Sequence, residues 1–449
     1  MNIDVRFSEL SALEKDAAFT VDAVIRNLST DTRTLKMGDT YLAIKGEHFD
    51  GHDFVEKAIA SGAASLVVSS SVNAQIPSIR VRDTILSLGN IAKLYRNRLT
   101  AKVIGITGSN GKTTVKEMVA CICRECGQVT ATLANNNNEI GVPLTLLSAS
   151  VEDEFVVVEM GTSEQWEIAY LSDIVEPDIS VVTTISESHL SGIGSRDDVF
   201  EEKSSIIAAT RDSGFVVINN DGEYAQRLAD KVAGSSVITY GLNAGADVTG
   251  QYDVLESGLN VTAQTPVGKL VYHLSVPGRH NVSNSLAAIA IACALDIDAK
   301  LIIQGLEKFR GTKGRLQVSK LSEGISLIDD TYNANPASTA AALEVLSKRP
   351  GRKIFVFAGM AELGEKEEEL HKMIGSLASE YQVDAMFVYD DMALPTYEAF
   401  AGEKYHYGSV EDLYSSLSNF VKAGDTILVK ASRRFQLDRV SQHLKEEFA

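Results

Sequence analysis

The stretch GITGSNGKTT, residues 105–114, follows the apolar lead-in Lys102-Val103-Ile104 and precedes a helical pattern. It has the makings of a phosphate-binding loop, yet the usual spacing G-x-x-x-x-G-K-[ST] would put a glycine where Ile106 stands. Gly108 and Gly111 permit positive φ and close backbone approach, so amide N–H groups can surround phosphate oxygens at a helix N-terminus. Lys112 can reach β- and γ-phosphates, and the Thr113 hydroxyl can ligate Mg2+. The alternative is a glycine turn with an incidental lysine. A strand before, a helix after and two threonines behind the lysine argue against it. Gly108, Ser109, Asn110, Gly111, Lys112, Thr113 and Thr114 are therefore expected to form an ATP or GTP site.

The surrounding chain reads as α/β. From about 100 to 312, the β-branched runs KVIGIT, EFVVVEMG, ISVVTTI and GFVVINND alternate with helical patterns, as buried parallel strands require. SSVITYG and KLVYHLSVPG suggest an added antiparallel patch. Before this block, DTYLAIKG, HDFVEKAIASGA and SLVVSS outline a small α/β unit over residues 1–99. After it, ISLIDD, KIFVFAGM, DAMFVYD and DTILVKAS outline a Rossmann-like unit over 313–449. A chain of 449 residues fits three such domains, with the ATP-binding one at 100–312.

Composition narrows the function. Lys plus Arg number 42 against 60 Asp plus Glu, a net charge of −18, which disfavours nucleic acid and anionic membranes as partners. An anionic substrate then needs local positive clusters. The start MNIDVRFSEL lacks a signal-peptide pattern, and the longest apolar stretch, Leu286 to Leu295, is about half a membrane span. With only four cysteines, a cytoplasmic protein without membrane insertion is expected. Cys121, Cys123 and Cys126 imitate a metal cluster, but a two-residue step on a helix separates faces, so packing is the better reading.

Further functional candidates sit where strands end, the place where open α/β sheets bind ligands. Glu159 closes EFVVVEMG and His189 follows ISVVTTISES. With Thr113 they would hold a divalent ion against triphosphate oxygens, although singly Glu159 could cap a helix and His189 could be a surface residue. Asn281 and Asn284 share a helix face and could read an adenine edge, while helix capping by Asn281 is an equal alternative. Arg315 lies at the junction with the third unit, where it could clamp phosphates across a cleft.

Taken together, Gly108 to Thr114, Glu159-Met-Gly, His189, GRHNVSN and Arg315 resemble the Mur ligase superfamily, whose phosphate loop is of the T/G-x-x-G-K-T-T kind. That resemblance accounts for the missing glycine. NNNNEIGVPLTLL (135–147), DDTYNANPAS (329–338), FAGMAELGEKEEELH (357–371) and LVKASRRFQLDRV (428–440) are similar to one branch of it. This branch joins D-alanyl-D-alanine to a UDP-N-acetylmuramoyl-tripeptide through an acyl phosphate. The resemblance implies ATP and Mg2+, catalytic roles for Lys112, Glu159, His189, Lys203 and Arg315, and a carbamate on Lys203. It implies that Asp330 contacts nucleotide and that Thr32, Arg33, Asn137, Asn138, Asn333, Asn335, Lys430, Ser432 and Arg433 contact the substrates. A monomer is expected. Lys203 could instead be a surface lysine paired with Glu201 or Glu202.

Some positions depart from the family pattern: Ser191, Ala431, the run EEKSSI, and Trp166 where glycine is usual. Competing readings are a tripeptide synthetase or folylpolyglutamate synthase of the superfamily, or a non-catalytic nucleotide-binding relative. DDTYNANP argues against the first two, and the intact GKTT, Glu159 and His189 against the third.

Overall fold

The computed structural model describes residues 3–46, 49–255 and 257–449. In it the β-branched runs form adjacent parallel strands, Lys102–Thr107, Phe155–Glu159, Ile179–Val182 and Phe215–Asn219, buried almost throughout. Burial of successive positions follows from helices covering both sheet faces. These strands belong to a nine-stranded sheet. Val129–Ala131 forms one edge, and Ser236–Gly241, Val248–Leu255, Gly258–Thr265 and Gly268–Leu274 extend the other. The last three make an antiparallel meander. Ser236–Gly241, expected in the antiparallel patch, runs parallel to both its neighbours. The meander draws instead on TGQYDVL and LNVTAQT, half-exposed stretches too polar to stand out as buried strands.

Register decides where chemistry can occur. Ile106 lies opposite Glu159, and Thr107 opposite Val182, so three strands end level with the start of the phosphate loop. The loop helix Lys112–Cys123 packs with Arg279–Ala294 and Ala299–Lys308 on one sheet face, in a core rich in small side chains. Cys123 is buried in that core, where desolvation pushes its thiol well up. Among the described residues no cluster of three His, Cys, Asp or Glu stands ready for a metal.

The opposite face is covered by helices Gly141–Ser148 and Glu167–Val175, and onto these packs the first block. Its sheet runs Ala18–Phe19, Ser78–Arg80, Ser65–Val68, Thr40–Leu42, Leu28–Ser29. One apolar cluster contains Phe7, Leu42, Ile91 and Tyr95 together with Val103, Val156, Leu171 and Ile206. It passes the 99/100 boundary without a break. The third block carries a six-stranded sheet, Gln317–Lys320, Ser326–Asp330, Thr426–Lys430, Lys353–Phe357, Ala385–Tyr389 and Glu403–Tyr407, parallel except for the first strand. Its two edge strands were not legible because edge positions are half-exposed and carry few apolar residues. Asp330, Lys430 and Phe357 are level in the ladder, so the carboxyl ends of this sheet also converge. No helix among the described residues is long and apolar enough to cross a membrane.

Polar ties also cross the first junction, among them Lys93 to Asp173 and the Tyr95 hydroxyl to the Ala149 carbonyl, both at 2.7 Å, and the most buried of them is made by Arg96. Arg96, fully buried at the end of helix Thr84–Arg96, donates from Nε to the Val175 carbonyl at 2.8 Å and from Nη2 to the Glu176 carbonyl at 2.9 Å. Nη2 also pairs with Asp178 Oδ2 at 2.9 Å, and that oxygen accepts the Val103 N–H. Removing the guanidinium leaves a largely buried carboxylate short of its partner, which costs about 3–5 kcal/mol. Arg96→Met should therefore lower the urea midpoint of the first transition markedly, and an unchanged midpoint would show that the tie contributes nothing.

Candidate active site

The phosphate loop takes its shape from two glycines and a neighbouring strand end. Gly108 has φ +143° and Gly111 φ +86°; a Cβ on Gly108 would meet Thr183 Oγ1 at 2.0 Å, and one on Gly111 would meet Asn284 Oδ1 at 2.5 Å. Only glycine fits either place. The N–H groups of Ser109 and Asn110 donate to Thr184 O at 2.8 Å and Thr184 Oγ1 at 2.9 Å. Ser109 Oγ bridges the Ser186 carbonyl and N–H, both at 3.0 Å. Lys112 curls back so that Nζ donates to the Gly108 carbonyl at 2.5 Å. Burial lowers its pKa to about 8, partly opposed by Glu159 and reinforced by Arg315. An incoming anion would restore the charged form.

Glu159 is buried at its strand end. Its Oε1 accepts from Thr113 Oγ1 at 3.1 Å and Asn137 Nδ2 at 2.9 Å, while Oε2 has no partner among the described residues. A buried carboxylate oxygen without a partner is costly unless a cation claims it. The oxygen donors Thr113 and Glu159 suit the hard Mg2+ ion. His189 faces the cleft from a left-handed residue, φ 53°, and its Nδ1 pairs with Glu362 Oε2 of the third block at 2.5 Å. That contact holds the Glu362 carboxyl below its ordinary value, against a smaller opposing effect of burial.

Arg315 also comes from the third block. Its Nη2 donates to Thr113 Oγ1 at 2.9 Å, and its guanidinium stacks 4.1 Å from the Tyr332 ring. Asn335 reaches Asn110, Nδ2 to Oδ1, at 2.8 Å, and caps helix Pro336–Ser347 through the Ser338 N–H. Asp330 pairs with Lys430 Nζ at 2.6 Å, and the same ammonium donates to the Asn333 carbonyl at 2.9 Å. On the opposite wall, Asn281 Nδ2 donates to the Pro277 carbonyl at 2.7 Å, and Asn284 Nδ2 to Asn281 Oδ1 at 3.2 Å. Helix Arg279–Ala294 starts from Gly278 without a side-chain cap, so Asn281 does not cap it.

A cleft of about 580 Å³ gathers these groups. Ser109, Asn110, Gly111, Lys112, Thr114, Asn137, Asn138, Glu159, His189, Asn281, Asn284, Arg315, Asp330, Asn333, Asn335 and Lys430 line it. Gly108 and Thr113 lie beneath, within the same loop. Other candidates stay apart. Thr32 and Arg33 are in the first block, where Arg33 is exposed and forks onto Asp31 at 2.6 Å. Ser432 Oγ accepts the Ala361 N–H and donates to the Ala334 carbonyl, tying two loops together, and Arg433 is exposed with its guanidinium 5.5 Å from the Tyr332 ring.

Lys203 is not a surface lysine. It is buried, and no hydrogen-bond or ion-pair partner for its Nζ occurs among the described residues. Desolvation, then the charge of Lys112, holds its pKa well below the ordinary lysine value, against the pull of Glu202 and Glu167. Its neighbours are engaged elsewhere. Glu201 pairs with Lys231 at 2.6 Å, and Glu202 accepts the N–H groups of Trp166 at 2.6 Å and Ile168 at 2.7 Å. Trp166 has φ 73°, which explains why glycine is usual there; its side chain is 77% exposed.

Sequence reasoning missed Glu362 as a site residue. The available signal was a carboxylate shortly after strand Lys353–Phe357, at the carboxyl end of a parallel sheet. Its segment is pinned by His371, whose Nε2 accepts the Met360 N–H at 3.0 Å, while Nδ1 donates to the Glu367 carbonyl at 2.7 Å.

Comparison with known proteins fits this geometry. Residues 24–110 match the Mur ligase family catalytic domain, 106–292 the Mur ligase middle domain, and 314–433 the Mur ligase glutamate ligase domain. The UDP-N-acetylmuramoyl-tripeptide–D-alanyl-D-alanine ligase of Escherichia coli K12 is 34% identical over 99% of both chains. A crystal structure of MurF from Acinetobacter baumannii superposes with a TM-score of 0.92 at 30% identity, covering 99% of each chain. MurF from Thermotoga maritima in complex with ADP gives 0.86 at 27%, covering 94% of this chain and 98% of that one.

Two outcomes follow from the site. Lys112→Ala should cut phosphate release by on the order of 10²–10³, the usual loss for one electrostatic stabiliser, with the fold retained; near-wild-type turnover would refute the phosphate contact. Burial lowers the pKa of His371 from 6.5, so it is neutral in the fold. The unfolded chain takes up the proton first, so this stability is complete above about 6.5 and lost as pH falls through the lower folded value. Denaturation of His371→Gln should show a flatter profile than wild type between roughly pH 7 and 5; parallel profiles would contradict the assignment.

Proposed function

The chain belongs to the Mur ligase family, and from that premise we propose that it joins D-alanyl-D-alanine to UDP-N-acetylmuramoyl-tripeptide at the expense of ATP. ATP is consumed and is therefore a substrate. The observation that carries the reading is the contact between Asn335 of DDTYNANP and Asn110 of the phosphate loop, 2.8 Å across the cleft. The stretch that discriminates among superfamily members thus touches the loop that binds ATP.

The residues divide the work by charge. Backbone N–H groups of residues 108–113 and the Lys112 ammonium hold phosphate oxygens. Arg315 adds a cation from the third block, where charge builds as the γ-phosphoryl moves to the peptide carboxylate. Thr113, Glu159 and His189 are the residues that would hold Mg2+, and when bound it would offset the repulsion between triphosphate and carboxylate. Asn281 and Asn284 would face the nucleotide, and Asp330, which would also contact it, holds the Lys430 ammonium that donates to the Asn333 carbonyl. Asn137, Asn138, Asn333, Asn335 and Lys430 border the reacting ends. Thr32 and Arg33, outside the cleft, suit the distant uridine diphosphate, and Ser432 and Arg433 support the third-block wall. The product is the UDP-linked pentapeptide of cell-wall synthesis, formed by a cytoplasmic monomer with units at 1–99, 100–312 and 313–449.

Lys203 becomes useful once neutral. A neutral amine and CO2 give a carbamate and a proton, which turns a buried cation into an anionic ligand beside the phosphate site. Its burial and the nearby Lys112 charge supply the condition for that reaction.

A coupled phosphate-release assay with UDP-MurNAc-tripeptide, ATP and D-alanyl-D-alanine tests the function. Release should require all three, and acceptance of glutamate or diaminopimelate in place of the dipeptide would overturn the reading. Lys203→Ala should be nearly inactive and partly rescued by short carboxylic acids, and wild-type activity should fall when bicarbonate and CO2 are stripped. Full activity of Lys203→Ala would end the carbamate assignment.

A further inference from the structure

Four carboxylates line the cleft: Glu159, Glu167, Asp330 and Glu362. Three are committed on their own side. Glu159 accepts from Thr113 and Asn137, Glu167 accepts the N–H groups of Ser163 at 2.6 Å and Glu164 at 2.9 Å, and Asp330 accepts from Lys430 and the Leu316 N–H. Glu362 differs. Its side chain is 53% exposed, and its one partner among the described residues is His189 of the opposing block.

The backbone aims this carboxylate deliberately. Glu362 has φ 65° and His189 φ 53°, so both members of the pair occupy the left-handed region, at a cost of roughly 1 kcal/mol or more each. The residues just before Glu362 are fixed by two buried anchors, Met360 N–H on His371 and Ala361 N–H on Ser432 Oγ at 2.9 Å. Strain held by rigid anchors beside a cleft marks a position kept for a ligand rather than for packing.

The acceptor substrate supplies the matching charge. D-alanyl-D-alanine carries an ammonium that must come to rest in a cleft already holding Lys112, Arg315 and Lys430. Only a carboxylate offsets that repulsion; Glu167 and Asp330 are engaged, and the free Oε2 of Glu159 is buried at the proposed metal position, which leaves Glu362 as the exposed one. We propose that Glu362 binds the ammonium of the incoming dipeptide, exchanging His189 for the substrate and thereby fixing the acceptor on the third-block wall. This rests on the proposed ligase function. It makes Glu362 a specificity-determining residue that selects acceptors with a free amino terminus.

The test is steady-state kinetics of the full-length enzyme with each substrate varied in turn. Glu362→Gln keeps size and hydrogen-bonding capacity and removes the charge. Its KM for D-alanyl-D-alanine should rise on the order of 10- to 100-fold, the loss expected for a hydrogen bond to a charged group. The KM values for ATP and UDP-tripeptide should stay within about twofold, less than half a kcal/mol. N-propionyl-D-alanine, which lacks the ammonium, gives a second readout as inhibitor. Wild type should prefer the dipeptide over it by the same factor, and that preference should collapse in Glu362→Gln. An unchanged KM for the dipeptide, a retained preference, or an equal rise for all three substrates would overturn the inference and leave Glu362 as an interdomain contact. If wild type releases no phosphate in response to D-alanyl-D-alanine, the ligase reading itself fails and the inference with it.

Discussion

The hydroxyl of Thr113 is the point on which the two catalytic halves of the molecule meet. It donates to Glu159 at 3.1 Å and accepts from Arg315 at 2.9 Å, so one oxygen links the loop helix, a central strand and the third block. A single hydroxyl can do this because it is both donor and acceptor. Valine at this place would have the right volume and neither function. The arrangement also brings one fixed negative and one fixed positive side chain to the same corner of the phosphate loop, where triphosphate and a divalent ion have opposite needs. Asn335 on Asn110 and His189 on Glu362 are further polar contacts across this junction, and they close the cleft around the loop.

The charge distribution is uneven in a way that serves the chemistry. The chain carries a net −18, yet Lys112, Lys203 and Arg315 converge on the phosphate loop, and Lys430 lies on the facing wall. Two of these ammonium groups have pKa values lowered mainly by burial. Each of these amines gives up its proton more readily than an exposed lysine, and an anion entering beside Lys112 would restore its charge. Desolvation is unfavourable in the free protein and makes the later interaction stronger, because the field acts in a medium with little water. Backbone strain is arranged in the same region, with Trp166, His189 and Glu362 all at positive φ. Glu202, by accepting the Trp166 and Ile168 N–H groups, holds the first of these in place and joins the loop after Glu159 to the helix that bears Lys203.

The two junctions between blocks differ in kind. At the first, a continuous apolar cluster and the buried Arg96 bind residues before and after position 99 into one unit. At the second, the contacts are polar and individually modest, centred on Arg315, Asn335 and Glu362. Polar contacts can be exchanged for ligand contacts at little cost, whereas an apolar core cannot open without exposing its surface. Separating the third block from the middle one would therefore cost less than separating the first.

The sequence alone determined the phosphate loop, the parallel strands that flank it and the three-block order, because these depend on local rules. Glycine at two loop positions is demanded by φ and by the 2.0 and 2.5 Å approaches a Cβ would make, and β-branched runs are demanded by burial on both faces. Half-exposed strands such as Val248–Leu255 and Glu403–Tyr407 carry no comparable pattern, and they were not legible. Neither was the direction of Ser236–Gly241, since parallel and antiparallel neighbours select similar residues on a buried strand. Tertiary structure decided the partners. Glu201 and Glu202 flank Lys203 in sequence, yet they turn to Lys231 and to the Trp166 backbone, which leaves the lysine buried with no ion pair among the described residues. Glu362 stands 173 positions from His189 and meets it at 2.5 Å. Contacts over such separations are fixed by how sheets and helices stack, and no local pattern in the chain encodes them.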